Sequence, residues 1–121
     1  MDTQSLVVGN TYYRLTFADR DLTMPGVTPF VFLGAVVLDD GSQAFAFQDT
    51  VSFVRFGSRL EMDEDRDDVG VSLLSDREVG TDILSIQTIV EEVANAAARA
   101  AQLNYPTLPV LRTGWRRPEP S

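Results

Sequence analysis

Phe30-Val31-Phe32-Leu33-Gly34-Ala35-Val36-Val37-Leu38 is followed by Asp39-Asp40-Gly41-Ser42 and then by Gln43-Ala44-Phe45-Ala46-Phe47-Gln48. The first run is apolar almost throughout, as a central strand covered on both faces must be. An Asp-Gly pair between two strand-like runs marks a hairpin, because both residues tolerate positive φ. The returning run puts Phe45 and Phe47 on one face. Gly34, inside the first run, predicts a kink or the close approach of another backbone.

Working back from the hairpin, residues 19–29 contain Pro25-Gly26 and Pro29 and read as a loop with a turn in it. Before them, Tyr13, Leu15 and Phe17 alternate with Tyr12, Arg14 and Thr16, which predicts a strand from about Leu6 to Ala18 with a bend at Gly9-Asn10. Working forward, Val51, Phe53 and Arg55 alternate with Ser52, Val54 and Phe56, so a further strand is expected as far as Gly57. Val69 to Leu74 reads as a fifth strand inside an acidic segment, 61–80. From about Asp82 to Leu103 the period changes: Ile83, Ile86, Val90, Val93, Ala97 and Ala100 recur at helical steps. Thr81, Asp82 and Ser85 are its candidate N-caps, and Asn104 and Pro106 its stop.

The expected fold class is therefore α+β. The sheet is a small twisted antiparallel sheet or SH3-like barrel of four to five strands, followed by one long C-terminal amphipathic helix and a Pro-rich tail. The barrel is an analogy of layout alone. Residues 1–104 form one domain: a strand meander over about 6–57, the acidic segment, and a helix over about 82–103. Residues 105–121 are a Pro/Arg-rich C-terminal tail. A length of 121 residues with 44% hydrophobic residues suits one core.

The chain has no Cys, no His and no Lys; all ten basic residues are Arg. That removes imidazole bases, thiol nucleophiles, Schiff-base lysines and Cys/His metal sites. No phosphate-binding glycine loop or zinc-protease motif occurs. Asp63, Asp65 and Asp67 match the first ligand positions of a Ca²⁺ loop, but Asp68 stands where that loop needs Gly and Leu74 where it needs Glu. Asp19, Asp21, Asp39, Asp40 and Asp49 sit where turns and strand ends need them, with carboxylate acid–base chemistry as the other use of such residues. No catalytic, cofactor-binding or metal residue is assigned on this reading.

Charge is uneven. Residues 61–82 hold nine acids and two Arg, a net −7 out of −8 for the whole chain. Such a field repels nucleic acid and anionic membrane and attracts basic protein. Expected partner-binding residues are Glu61, Asp63, Glu64, Asp65, Asp67 and Asp68, together with Trp115 and Arg116 in the tail, since Trp and Arg concentrate at binding hot spots. The tail has a competing use, folding back onto its own domain. Tyr12, Arg14 and Thr16 offer a third surface. The expected function is an acidic protein-binding module of bacterial or phage origin. It would be an inhibitor, antitoxin or immunity protein that neutralises a basic partner such as a toxin. A structural or assembly subunit of a phage or secretion system is the alternative, and a small enzyme using carboxylates the third. The N-terminus lacks the features of a secretory leader, and the absence of Cys fits a cytoplasmic monomer or dimer.

Overall fold

A computed structural model describes residues 1–62 and 69–103 and shows an α+β chain. Five strands, β1 (Thr11–Phe17), β2 (Pro25–Val37), β3 (Gln43–Asp49), β4 (Val71–Leu74) and β5 (Ile83–Leu84), pair antiparallel in the order β4-β3-β2-β1-β5. Three helices accompany them: α1 (Thr50–Phe56), α2 (Asp76–Asp82) and α3 (Ile86–Leu103).

The β2–β3 hairpin forms where the Asp-Gly pair predicts it, with a different turn. Gly41 alone takes positive φ, at 84°. The Gly41 N–H donates to the Leu38 carbonyl (2.9 Å) and the Leu38 N–H to that of Ser42 (2.8 Å), a three-residue loop. The Asp40 carboxylate accepts from the Ser42 backbone and hydroxyl, so Asp40 keeps a negative φ and fixes the turn with its side chain. Gly34 sits at a register shift in β2, and a Cβ there would meet Leu60 at 3.8 Å. The predicted irregularity is a β-bulge.

β2 starts earlier than the proline-rich loop predicted. Pro25 and Pro29 both pair with β1, opposite Phe17 and Tyr13. Pairing of β2 with β3 begins only at Phe30. Its first five residues thus have an open edge that asks nothing of a proline nitrogen.

Residues 51–56 form helix α1, where alternation predicted a strand. The cause is local. The Asp49 carboxylate accepts from the Ser52 N–H (2.8 Å) and hydroxyl (2.6 Å), capping the helix, and Gly57 closes it at φ 79° with its N–H on the Phe53 carbonyl. Caps at both ends outweigh the β-propensity of Val51, Phe53 and Val54.

Tyr12, Phe32, Phe45, Phe47, Leu74 and Ile83 share one face of the sheet, with Phe32 and Phe47 at 5.2 Å between ring centroids. Val79 of α2 closes over them and is fully buried. Tyr12, expected on an exposed surface, therefore lies in the core; its phenol oxygen accepts from the Val7 N–H at 2.8 Å. A buried tyrosine needs such a partner.

The long helix starts later than predicted, and a short one precedes it. Residues 76–82, read from the sequence mostly as acidic segment, form a helix of about two turns, started by a complete capping box between Ser75 and Glu78. Ile83 then turns extended and joins the sheet beside Arg14. Of the three candidate caps, Ser85 starts α3: its hydroxyl accepts from the Thr88 N–H. α3 packs along β1 and β2, burying Ile89 and Ala96, while Arg99 reaches the Leu22 carbonyl (2.8 Å) and covers the Phe17 ring. Of the residues that the helical spacing puts on one face, Ile86, Val90 and Val93 are exposed. No helix among the described residues is long and apolar enough to cross a membrane.

Candidate functional site

Of the expected partner-binding residues, only Glu61 is among the described ones; Asp63, Glu64, Asp65, Asp67, Asp68, Trp115 and Arg116 lie outside them. Glu61 ends a 3₁₀ turn, Arg59–Glu61, and is exposed. Beside it is a cleft of about 420 Å³, lined among others by Val8, Gly9, Leu33, Phe53, Leu60 and Glu61. The composition of this cleft, aliphatic and aromatic with one acid, suits a side chain of a partner better than a polar metabolite.

The cleft wall is held by a buried polar residue. Gln48, fully buried in the central strand β3, donates through its amide to the Ser52 hydroxyl and the Gly57 carbonyl, both at 3.0 Å. Its amide oxygen accepts from the Arg59 N–H at 2.8 Å. One side chain thereby ties β3 to α1 and to the turn that carries Leu60 and Glu61. Both amide hydrogens and the amide oxygen are engaged, which holds the wall in place. Asp49, next in sequence, also receives the Gly70 N–H (3.0 Å), anchoring the middle of the acidic segment to the same corner. Its carboxyl is held below the ordinary range chiefly by the Ser52 hydroxyl, against a smaller opposing effect of burial.

Asp19 and Asp40 are lowered for the same kind of reason, by the hydroxyls of Thr23 and Ser42 and by neighbouring backbone N–H groups. All three organise their own loops, which matches the turn-forming use of these residues. A carboxyl kept ionised in this way is a poor proton donor near neutral pH.

A second cleft, of about 520 Å³, lies where β1, β5 and α3 meet and includes Arg14, Thr16, Asp82, Thr88 and Glu92 in its lining. The Arg14 guanidinium lies 5.6 Å from the Phe30 ring centre, and its Nε is buried without a hydrogen-bond partner. Two carboxylates, Asp82 and Glu92, are among the residues that line it; neither is one of the carboxylates singled out from the sequence for acid–base chemistry. Among the described residues no group of three acidic side chains converges as a metal site.

The cleft beside Glu61 was not visible in the sequence. Its lining comes from three separate stretches, 8–9, 32–33 and 53–61, and the one signal for it was the polar Gln48 ending an apolar strand. No family model, curated protein or solved structure matches the chain.

Proposed function

We propose that the protein is an acidic protein-binding module that captures a basic protein partner, as an inhibitor or immunity-type protein does, in the cytoplasm. The observation that carries this reading is the concentration of charge, a net −7 within residues 61–82. Glu61, Asp76, Glu78 and Asp82, its described acids, are all exposed. Crowded like charges repel one another, and a cationic surface relieves that repulsion while steering the encounter. Charge at a rim sets the rate of association; lasting affinity needs a desolvated anchor. The apolar cleft beside Glu61 supplies a place for one, with its wall fixed before the partner arrives.

The test is the association rate of the full chain with a panel of purified basic and acidic proteins, followed against salt. The expected result is binding to a basic member at a rate that falls steeply as salt rises. Combining Glu61→Gln, Asp63→Asn, Glu64→Gln, Asp65→Asn, Asp67→Asn and Asp68→Asn is expected to slow that association by about tenfold or more. A rate indifferent to salt and to these substitutions overturns the proposal, as does a preference for acidic members. Light scattering that finds a stable ring or large oligomer favours the assembly subunit instead.

A further inference from the structure

Arg14 and Glu92 are opposite charges that line one cleft and do not pair. The cleft is the one of about 520 Å³ where β1, β5 and α3 meet, and it follows from the shortness of β5. α2 ends at Asp82 and α3 begins at Ile86, so only Ile83 and Leu84 reach the margin of β1, opposite Arg14 and Tyr13. Past them the chain turns away into α3. There Thr88 and Glu92, four residues apart and so on one face of the helix, line the cleft from the other side.

Both charges are half-buried. Among the described residues the Arg14 guanidinium has only the Phe30 ring as a partner, and its Nε is buried and unbonded. Among the same residues the Glu92 carboxylate has neither an ion pair nor a hydrogen bond. Partial burial strips water from each charge and returns no counter-ion, a cost that folded proteins ordinarily meet with a partner. Asp82, the third charge of the lining, is exposed and accepts from the Thr81 hydroxyl at 3.0 Å.

We propose that this cleft binds a free α-amino acid with a basic side chain, lysine or arginine, its carboxylate on Arg14 and its α-ammonium on Glu92. The charges of the lining choose the ligand. One guanidinium and two carboxylates call for one anion and two cations, the set that a basic α-amino acid carries. A guanidinium takes a carboxylate through two parallel, charge-assisted hydrogen bonds. The two α groups flank a single carbon, so one ligand bridges protein charges that stand too far apart to pair directly. Asp82 is left for the side-chain cation, and the half-buried Leu84 for its methylene stem. An anion without a cationic group faces two carboxylates here, and a cation without a carboxylate faces Arg14. The volume falls among those of small-molecule sites, about 300–1,000 Å³. This inference stands apart from the capture of a basic partner, because an arginine or lysine inside a polypeptide has no free α-carboxylate for Arg14.

The native chain tests it without any substitution. Calorimetry with L-lysine and L-arginine is expected to show saturable binding of one molecule per chain. Lysine amide, which lacks the carboxylate, and Nα-acetyl-lysine, which lacks the α-ammonium, are each expected to bind about tenfold or more weakly, and so is leucine, which lacks the side-chain cation. Arg14→Gln and Glu92→Gln are expected to weaken lysine binding to the same degree. Glu91→Gln, next in sequence but outside the lining, leaves it unchanged. Absence of saturable binding by either basic amino acid overturns the proposal, as does an unchanged affinity in Glu92→Gln. Leucine binding as tightly as lysine overturns it too. So does equal binding of Nα-acetyl-arginine amide, which assigns the cleft to a side chain of a protein partner.

Discussion

α2 and α3 meet the same sheet on opposite terms. α2 has seven residues, three of them acidic, yet its Val79 is completely buried and seals the aromatic core of Tyr12, Phe32, Phe45 and Phe47. α3 has eighteen residues and far more apolar surface, yet buries only Ile89 and Ala96. The difference teaches that burial is allotted by the sheet. A strongly amphipathic helix turns its apolar stripe inward only where an apolar surface waits for it. Here α2 has taken the aromatic face, and α3 is held partly by polar contacts, Arg99 to the Leu22 carbonyl among them.

The largest test of that contrast is a pair of identical changes. Val79→Asp places an unpaired charge in the core and is expected to cost about 4 kcal/mol or more, enough to unfold the chain. Val90→Asp, on the exposed stripe, is expected to stay within about 1 kcal/mol of the native chain. Urea denaturation of the two variants decides it; comparable losses would mean that α3 is as deeply engaged as α2.

Gln48→Leu sharpens the contrast from the sheet side. It leaves the Gly57 carbonyl and the Arg59 N–H without their partner, and is expected to cost about 2–3 kcal/mol, although leucine is the more apolar residue. Faster amide exchange confined to residues 57–61 would localise the effect to the cleft wall.

The smallest of these effects has a pH signature. Asp49→Ala removes the cap of α1 and is expected to cost about 1–2 kcal/mol at pH 7. Because the Asp49 carboxyl titrates lower in the folded chain than in the unfolded one, the unfolded chain binds more protons in acid. The carboxylate's contribution is complete above the unfolded value near 3.9 and fades as pH falls through the folded value. The difference in urea midpoint between the native chain and the alanine variant is therefore expected to narrow below about pH 4.

How far the fold could be read from residues follows the same division. The hairpin, an irregularity at Gly34, a strand within 69–74 and a set of caps that includes Ser85 are written in local chemistry, and each has its counterpart in the fold. The errors arose where a local pattern had two readings. Val51 to Phe56 alternates like a strand, and only the joint action of Asp49 and Gly57 makes it a helix. Tyr12 alternates with the right period, but the pattern could not say that both faces of the sheet would be covered. The apolar stripe of α3 was correctly recognised as a stripe, but α2 was missed: its residues were read as part of the acidic segment, and the helix was started at about Asp82 instead of Ile86. The cleft beside Glu61 was least legible, because its walls meet only after β3 has turned into α1.

The open stretch of β2 has a consequence for how the protein behaves when crowded. A sheet grows into fibrils by recruiting strands at unprotected edges. Among the described residues, the margins of this one are a four-residue strand, a two-residue strand, the short ends of β1 that this strand leaves unpaired on either side of Tyr13 and Arg14, and the stretch that begins at Pro25 and ends at Pro29. None offers an uninterrupted row of backbone donors long enough to template another molecule. A chain this rich in phenylalanine and valine can therefore be concentrated without its sheet becoming a seed for aggregation.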